Sequence, residues 1–323
     1  MREKYDPTIL DVALLPEELA GNATPPETTA YIVVDVIRAT TTLSVLFDRG
    51  CAEALLAGSL DEARRVATLL RNTTPASTGP ANETHAAGKL LLAGESGGLA
   101  PPGFDFGNSP AEFATLDLTG QRFVFCTTNG TRALRACAGG RAVFAGCFRN
   151  ASAIASAALA ALEDVRTAPP ETREGDKSGE PALPSEAAAG TPSEPRTADI
   201  AIAGPATGAV TIVCSGRAQR AALDDTVCAG YLITVLQRLL ADHGRRSILR
   251  EGAQMATQLY HYAPPIIEVL RHADAGRAVI AVGLEHDLEL CATIDASVSV
   301  PVLTGYDPIS GLPRIKARGF ARG

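Results

Sequence analysis

A chain of 323 residues that is 46% apolar can bury one elaborated core or two intimate lobes. Its formal net charge of −7, with no run of Lys or Arg, excludes a nucleic-acid surface, so an anionic ligand must be met by local positive charge. No apolar stretch approaches the roughly 20 residues of a membrane span, and the start MREKYDPTILDVALLPEELA carries no secretory pattern.

The first predicted strand is TILDVAL (8–14), followed by a turn into a short helix at LPEELA. YIVVDVI (31–37) is a continuous β-branched run, as suits a parallel strand covered on both faces. A helix is expected from about Thr40 to Phe47, then a strand at AEALLAG. SLDEARRVATLLR (59–71) reads as a strong helix, with Ser59 as cap and Glu62 closing a capping box. Alternation continues through RFVFCTT (122–128), TRALRACAG (131–139), AVFAG (142–146) and NASAIASAALAAL (150–162). Residues 166–208 are rich in Pro, Gly, Ala, Thr and Glu, and a disordered insertion is expected there. The pattern resumes with a strand at AVTIVCSG (209–216) and a long helix over 223–243. Further helices are expected at APPIIEVLRHA and LEHDLELCATID, a last extended segment at SVSVPVLTG (297–305), and a mobile basic tail at PRIKARGFARG.

Strand–helix alternation predicts a three-layer α/β/α fold with a mainly parallel sheet. The expected organisation is a first half over 1–165, the insertion over 166–208, and a second half over 209–323 completing the same unit. Thr41 to Gly50 and Thr131 to Gly140 echo one another, each running from a strand end to a glycine, which allows an internal duplication. The seven scattered cysteines form no Cys-x-x-Cys pair and are expected as buried apolar residues in a reducing cytosol, so a cytoplasmic protein is expected. The many small residues permit close packing of a homo-oligomer.

In a parallel sheet, the loops after the strands' carboxyl ends are where ligands bind. Here DVIRATTT (35–42), CTTNGTRAL (126–134) and CSGRAQ (214–219) each place hydroxyl or amide side chains at a helix start. Such starts attract phosphate through free N–H groups. GESGG (94–98) and GFDFGNSP (103–110) add glycine-rich loop with Glu95, Asp105 and Asn108 inside it. Ser109 and Glu112 have a structural explanation as a capped helix start at Pro110.

Asp35 follows an apolar run directly, where a charge is costly unless paired or metal-bound. A plain salt bridge to Arg38 is the structural alternative. Asp224 and Asp225 stand together at a helix start, where one carboxylate is readily explained by the helix dipole and a pair less so. Oxygen-rich sets of this kind suit Mg2+. The five histidines show no zinc spacing.

Taken together, VVDVIRATTT, GESGG, GFDFGNSP, TTNGTRAL and the late CSGR…LDD…AG resemble the 2-phosphosulfolactate phosphatase family, collinearly from about residue 8 to 303 apart from the insertion. The resemblance implies an α/β fold, magnesium dependence, and hydrolysis of (2R)-2-phospho-3-sulfolactate on the route to sulfolactate and coenzyme M. Where the family usually has Glu-Asp, this chain has Asp224-Asp225. Chemistry then suggests roles. Asp35, with Glu95, Asp224 or Asp225, would hold the metal. Asp35, Arg38 and Glu95 would form the catalytic group. Thr40, Thr41, Asn108, Thr128, Asn129, Gly130, Thr131 and Arg217 would contact a small anionic phosphorylated substrate, Arg217 taking its sulfonate or carboxylate. Asp35 could instead be a nucleophile. Two alternatives are a haloacid-dehalogenase-like phosphatase, which wants an Asp where Ile37 stands, and a non-catalytic organic-acid binder of the same fold.

Overall fold

The computed structural model describes residues 7–21, 24–73, 90–163 and 208–318. The segment expected as a disordered insertion therefore lies outside the described residues, except for Gly208. In chain order the elements are β1 (Thr8–Ala13), β2 (Thr29–Val34), α1 (Ala39–Asp48), β3 (Glu53–Leu56), α2 (Leu60–Thr73), β4 (Leu90–Gly94), α3 (Pro110–Phe113), β5 (Arg122–Cys126), α4 (Gly130–Ala136), β6 (Ala142–Gly146) and α5 (Ala151–Glu163). They continue with β7 (Ala209–Cys214), α6 (Leu223–Asp242), β8 (Ser247–Leu249), α7 (Glu251–Tyr262), α8 (Ile266–His272), α9 (Asp274–Ala281), α10 (His286–Cys291), β9 (Val300–Tyr306) and β10 (Pro313–Arg318).

The strands form one 10-stranded sheet in the order β4-β5-β3-β10-β9-β6-β2-β7-β1-β8. The α/β class expected from alternation is observed. The sheet is mainly parallel, in two blocks: β4, β5 and β3 on one side, and β6, β2, β7, β1 and β8 on the other. The β9–β10 hairpin joins them through antiparallel pairings to β6 and β3. Two reversals at β10 and β9 and a third at β6 leave the blocks running in opposite senses. The sheet is thus not one row of carboxyl ends. β6 meets β9 in register at a single pair, Phe144 opposite Val302.

Sequence explains most of the elements locally. All six residues of β2 are buried, as its unbroken β-branched run requires. Ser59 caps α2 as expected, its Oγ accepting from the Glu62 N–H (3.1 Å), but the Glu62 carboxylate accepts from the N–H of Gly58, one residue before the cap (2.6 Å), so the expected box is not closed on Ser59. α5 and α6 cover one face of the larger block, where Ile154, Leu162, Leu232 and Leu236 pack with Ile32 and Ile212. α2 covers the smaller block through Val66 and Leu70 against Leu55 and Leu92. A third cluster draws on both blocks at once: Leu43 and Leu46 of α1 and Leu134 of α4 meet Val33, Leu91, Phe123 and Phe125. α1 carries the chain from the larger block to the smaller and α4 carries it back. These two crossovers are the segments that echo one another in sequence.

All seven cysteines are free and buried. The tail read as basic and mobile departs from that expectation over Pro313–Arg318, which is β10, paired with β9 and β3. Strand β4, the short β8, and helices α7 and α9 were not predicted. Among the described residues, no helix is long and apolar enough to cross a membrane.

Candidate active site

The residues after β2 build a rigid turn. The Asp35 carbonyl accepts from the Thr40 N–H (3.0 Å) and from the Thr40 hydroxyl (3.0 Å), while the Asp35 N–H donates back to Thr40 Oγ1 (3.1 Å). Thr41 Oγ1 donates to the Val36 carbonyl (2.9 Å), and Thr42 Oγ1 to the Asn108 carbonyl (3.2 Å). All three threonines are wholly buried. Thr40 and Thr41 therefore hold the turn rather than line the cleft it borders. The Ala39 N–H donates to Asp35 Oδ1 (3.2 Å), so the first donors of α1 are used within the turn itself.

A cleft of about 350 Å³ opens beside this turn. Asp35, Arg38, Glu95, Gly98, Asn108, Thr127, Thr128, Asn129 and Arg217 border it, together with Ala275 and Val279 of α9. Loops after β2, β4, β5 and β7, drawn from both blocks, thus reach one space. Gly130 makes the approach possible: a Cβ there would lie 2.5 Å from Ala39 Cβ and 2.8 Å from Asp35 Oδ2. Gly130 and Thr131 stay behind the lining, and the Thr131 hydroxyl donates to the Thr127 carbonyl (2.7 Å). Asn129 precedes α4 without its side chain capping the helix and faces the cleft.

Arg38 is almost fully buried, at 4% exposure. It does not pair with Asp35. Its Nη1 donates to Asp287 Oδ2 (2.7 Å) and its Nη2 to the Gly98 carbonyl (2.6 Å). Asp287 on α10 also accepts from Ser109 Oγ (2.5 Å) and the Ala111 N–H (3.2 Å). Ser109 caps α3 by accepting from the Glu112 N–H (3.3 Å), but the Glu112 carboxylate turns to the Gly107 N–H (3.0 Å) instead of closing a box. Asp287 was missed in the sequence, although it interrupts the apolar stripe Leu284, Leu288, Cys291 at helical spacing, a signal for a buried partnered carboxylate.

Glu95 accepts from the Gly98 N–H (3.0 Å), the Thr128 N–H (3.2 Å) and the Thr128 hydroxyl. Burial pushes its pKa up, but these bonds and the nearby Arg38 outweigh that and hold it below the usual carboxylate range. Glu95 therefore ties the glycine loop after β4 to the TTNG loop after β5.

Asp225 plays the same part across β2 and β7. It accepts from the Val36 N–H (2.9 Å) and the Gly216 N–H (3.1 Å), so both oxygens are engaged. Burial, with Asp224 and Asp35 beside it, raises its pKa well above the ordinary value. Asp35 is raised to about 7, chiefly by burial and further by Asp224 and Glu95, against the Ala39 N–H and Arg38. Asp224 is raised to about 6, again chiefly by burial, partly offset by backbone donors and by Arg217.

Buried acceptors in this region without a hydrogen-bond partner among the described residues include Asp224 Oδ1 and Asn108 Oδ1. Buried orphans of this kind call for a ligand. Among the described residues, no three His, Cys, Asp or Glu side chains are grouped to hold an ion by themselves. A magnesium ion commonly takes only one or two carboxylates and completes its shell with substrate oxygens and water. Asp35 and Asp224, each with oxygens not committed to the backbone, fit that demand. Asp225 and Glu95, engaged as tethers, fit it less well.

A family model described as 2-phosphosulpholactate phosphatase matches residues 13–171 and 196–305. The chain belongs to the 2-phosphosulpholactate phosphatase family. It is 33% identical over 277 residues to a probable 2-phosphosulfolactate phosphatase of Thermus thermophilus, a match covering 85% of this chain and 87% of the relative. It is 30% identical over 279 residues to a protein of the same description from Deinococcus radiodurans, covering 86% and 89%. This membership bears out the resemblance of the motifs and does not favour the haloacid-dehalogenase-like or non-catalytic alternatives. Within the 2-phosphosulpholactate phosphatase frame, each loop that borders the cleft falls inside the matched residues.

Proposed function

We propose that the cleft hydrolyses the phosphate ester of (2R)-2-phospho-3-sulfolactate, giving 3-sulfolactate and inorganic phosphate, in the cytoplasm and on the route to sulfolactate and coenzyme M. One arrangement carries this reading: a guanidinium fixed by Asp287 and Gly98 borders the same small cleft as the uncompensated carboxyl of Asp35. A volume of about 350 Å³ suits a three-carbon ester, and the substrate's charge explains arginines on an otherwise acidic protein. The names of the relatives support the same substrate.

Magnesium held by Asp35 and Asp224 would neutralise phosphate oxygens when bound. The chain's own groups do the rest. Arg38 is presented in one orientation before substrate arrives, so its charge stabilises the trigonal-bipyramidal phosphoryl group without reorganisation. Thr128 and Asn129 orient the phosphate from the β5 side. Asp35 accepts a proton from the attacking water as the new P–O bond forms and the ester P–O bond breaks. The sulfolactate oxygen leaves and takes its proton from solvent water at the open cleft, while Asp35 returns the proton it accepted to solvent. Arg217 holds the sulfonate or carboxylate.

A phosphate-release screen over 2-phospho acids, with and without magnesium, tests the reading. Phosphosulfolactate should be the preferred substrate, metal removal should abolish turnover, and Asp35→Asn should abolish it as well. No release from any ester by the native chain with magnesium would overturn it. Single turnover in heavy-oxygen water should place label in phosphate; label in the Asp35 carboxylate would mean that this side chain is the nucleophile.

A further inference from the structure

Beside the catalytic cleft lies a second space of about 410 Å³, joined to it at Arg217, Ala218 and Ala275. The second space leaves room for an anionic group outside the reacting centre. The second space is walled by the turn Arg217–Arg220 after β7, by the start of α6, and by His272 to Ala275.

That turn is built in a particular way. Arg217 and Arg220 exchange both backbone hydrogen bonds (2.9 and 3.0 Å), which sets the two residues opposite one another with side chains on the same face. The two central residues take positive φ, 48° at Ala218 and 58° at Gln219, where such a turn ordinarily uses Asn and Gly. The conformation is unfavourable for both residues, and its consequence is a pair of guanidiniums at the mouth of the space. Neither side chain forms an ion pair or hydrogen bond with any described residue, whereas most of the arginines elsewhere in the fold do. The opposing charges are few. Asp274 is already paired with Arg277, and Asp224 belongs to the candidate cation set and feels Arg217.

We propose that this annexe is a second oxyanion site, in which Arg217 and Arg220 bind a phosphate, sulfate or sulfonate group outside the reacting centre. The group is either free phosphate left by turnover or the substrate's own distal sulfonate. This choice of source rests on the phosphatase reading; the binding itself does not. Two guanidiniums on one face suit a tetrahedral oxyanion, whose oxygens accept bidentate pairs.

Calorimetric titration of the full chain with inorganic phosphate should reveal two sites. Arg220→Ala should weaken one of them by tenfold or more and leave the other, and Arg220→Lys should keep part of the lost affinity. Arg220 is exposed on a turn, so the variant should fold, which circular dichroism checks. A single phosphate site in the native chain, or unchanged binding in Arg220→Ala, overturns the proposal. Kinetics on Arg220→Ala then assign the source. A KM raised about tenfold for phosphosulfolactate but not for 2-phospholactate, which lacks the sulfonate, identifies the substrate's own group. Unchanged KM with weakened inhibition by phosphate identifies the free product. If the native chain hydrolyses neither ester, the phosphatase reading fails while the titration still decides the annexe.

Discussion

Arg38 and Arg217 border the same cleft under opposite conditions. Arg38 belongs to a wall held by long-range bonds: Asp287 and Gly98 hold its guanidinium, Glu95 ties two loops, Asp225 ties two more, and threonines brace the turn from behind. Arg217 stands on an exposed rim, its side chain forming no bond with any described residue. Side-chain freedom lost during folding need not be lost again on binding. The wall is therefore the part suited to stabilising a transition state, and the rim the part suited to recognising different anions.

The comparison breaks first at Arg38. Arg38→Ala removes the charge from the reacting centre and leaves Asp287 buried at 1% exposure without its counter-ion. Breaking a buried pair by removing one partner costs on the order of 3–5 kcal/mol. Chemical denaturation should show a loss of that size, and kcat should fall about a thousandfold. Arg38→Ala combined with Asp287→Asn should recover much of the stability and none of the kcat. Recovery of both would mean that Arg38 serves only the fold.

Much of this wall was legible in the sequence, and the reason it was not wholly so is distance along the chain. Glycine, threonine and asparagine at strand ends marked the loops that carry chemistry, because their local geometry demands those residues. The partners are another matter. Arg38 and Asp287 are 249 residues apart, and Val36 and Asp225 are 189 apart. Only the fold brings such groups together. The same limit explains the last strand. In Pro313–Arg318 the charges suggested a tail, yet Pro313 and Ile315 alternate inward, and pairing with Leu55 and Ala54 of β3 makes it a strand. The two crossovers α1 and α4 were readable as helices, but their passage between oppositely directed blocks was not.

Asp35 gives the next largest effect, and it is one of pH. Burial and neighbouring carboxylates lift its folded pKa to about 7 from 3.8. The folded state then binds the proton more tightly than the unfolded state, so this group's contribution is fully present below about pH 4 and is lost as pH rises through about 7. Asp224, raised to about 6, adds to the same trend. The native chain without metal should lose roughly 3 kcal/mol between pH 4.5 and 8 from Asp35 alone, and more with Asp224. Asp35→Asn should flatten the slope and unfold at higher denaturant at pH 8. Magnesium should restore stability to the native chain at pH 8 and less so to the variant. A native stability that rises across this window would show that the carboxyl is paired, not stranded.

Gly130 tests how tightly the two halves of the wall meet. A methyl group there would press on Ala39 Cβ at 2.5 Å and Asp35 Oδ2 at 2.8 Å. Neither α1 nor the turn before it can yield easily, because the hydroxyls of Thr40, Thr41 and Thr42 and the N–H groups of Asp35, Val36, Ala39 and Thr40 are engaged. Gly130→Ala should cost about 1–3 kcal/mol as an overpacking change, seen as a lowered denaturation midpoint with unchanged m. Its turnover should fall further than its stability explains, since the displaced group is Asp35. A variant as stable and active as the native chain would mean that the wall is looser than its hydrogen bonds suggest.

The smallest effect is expected on the rim. Arg217→Ala removes an exposed side chain that bonds no described residue, so stability should stay within about 0.5 kcal/mol of native. If the guanidinium acts by gripping the end of the substrate remote from phosphorus, its loss removes binding common to ground and transition states. KM for phosphosulfolactate should then rise about tenfold, equivalent to about 1.4 kcal/mol, with kcat nearly unchanged. Arg217→Lys should recover part of this, since the charge returns but the planar fork does not. A fall in kcat comparable to that of Arg38→Ala would place Arg217 at the reacting phosphoryl group, and the separation between fixed wall and adaptable rim would no longer hold.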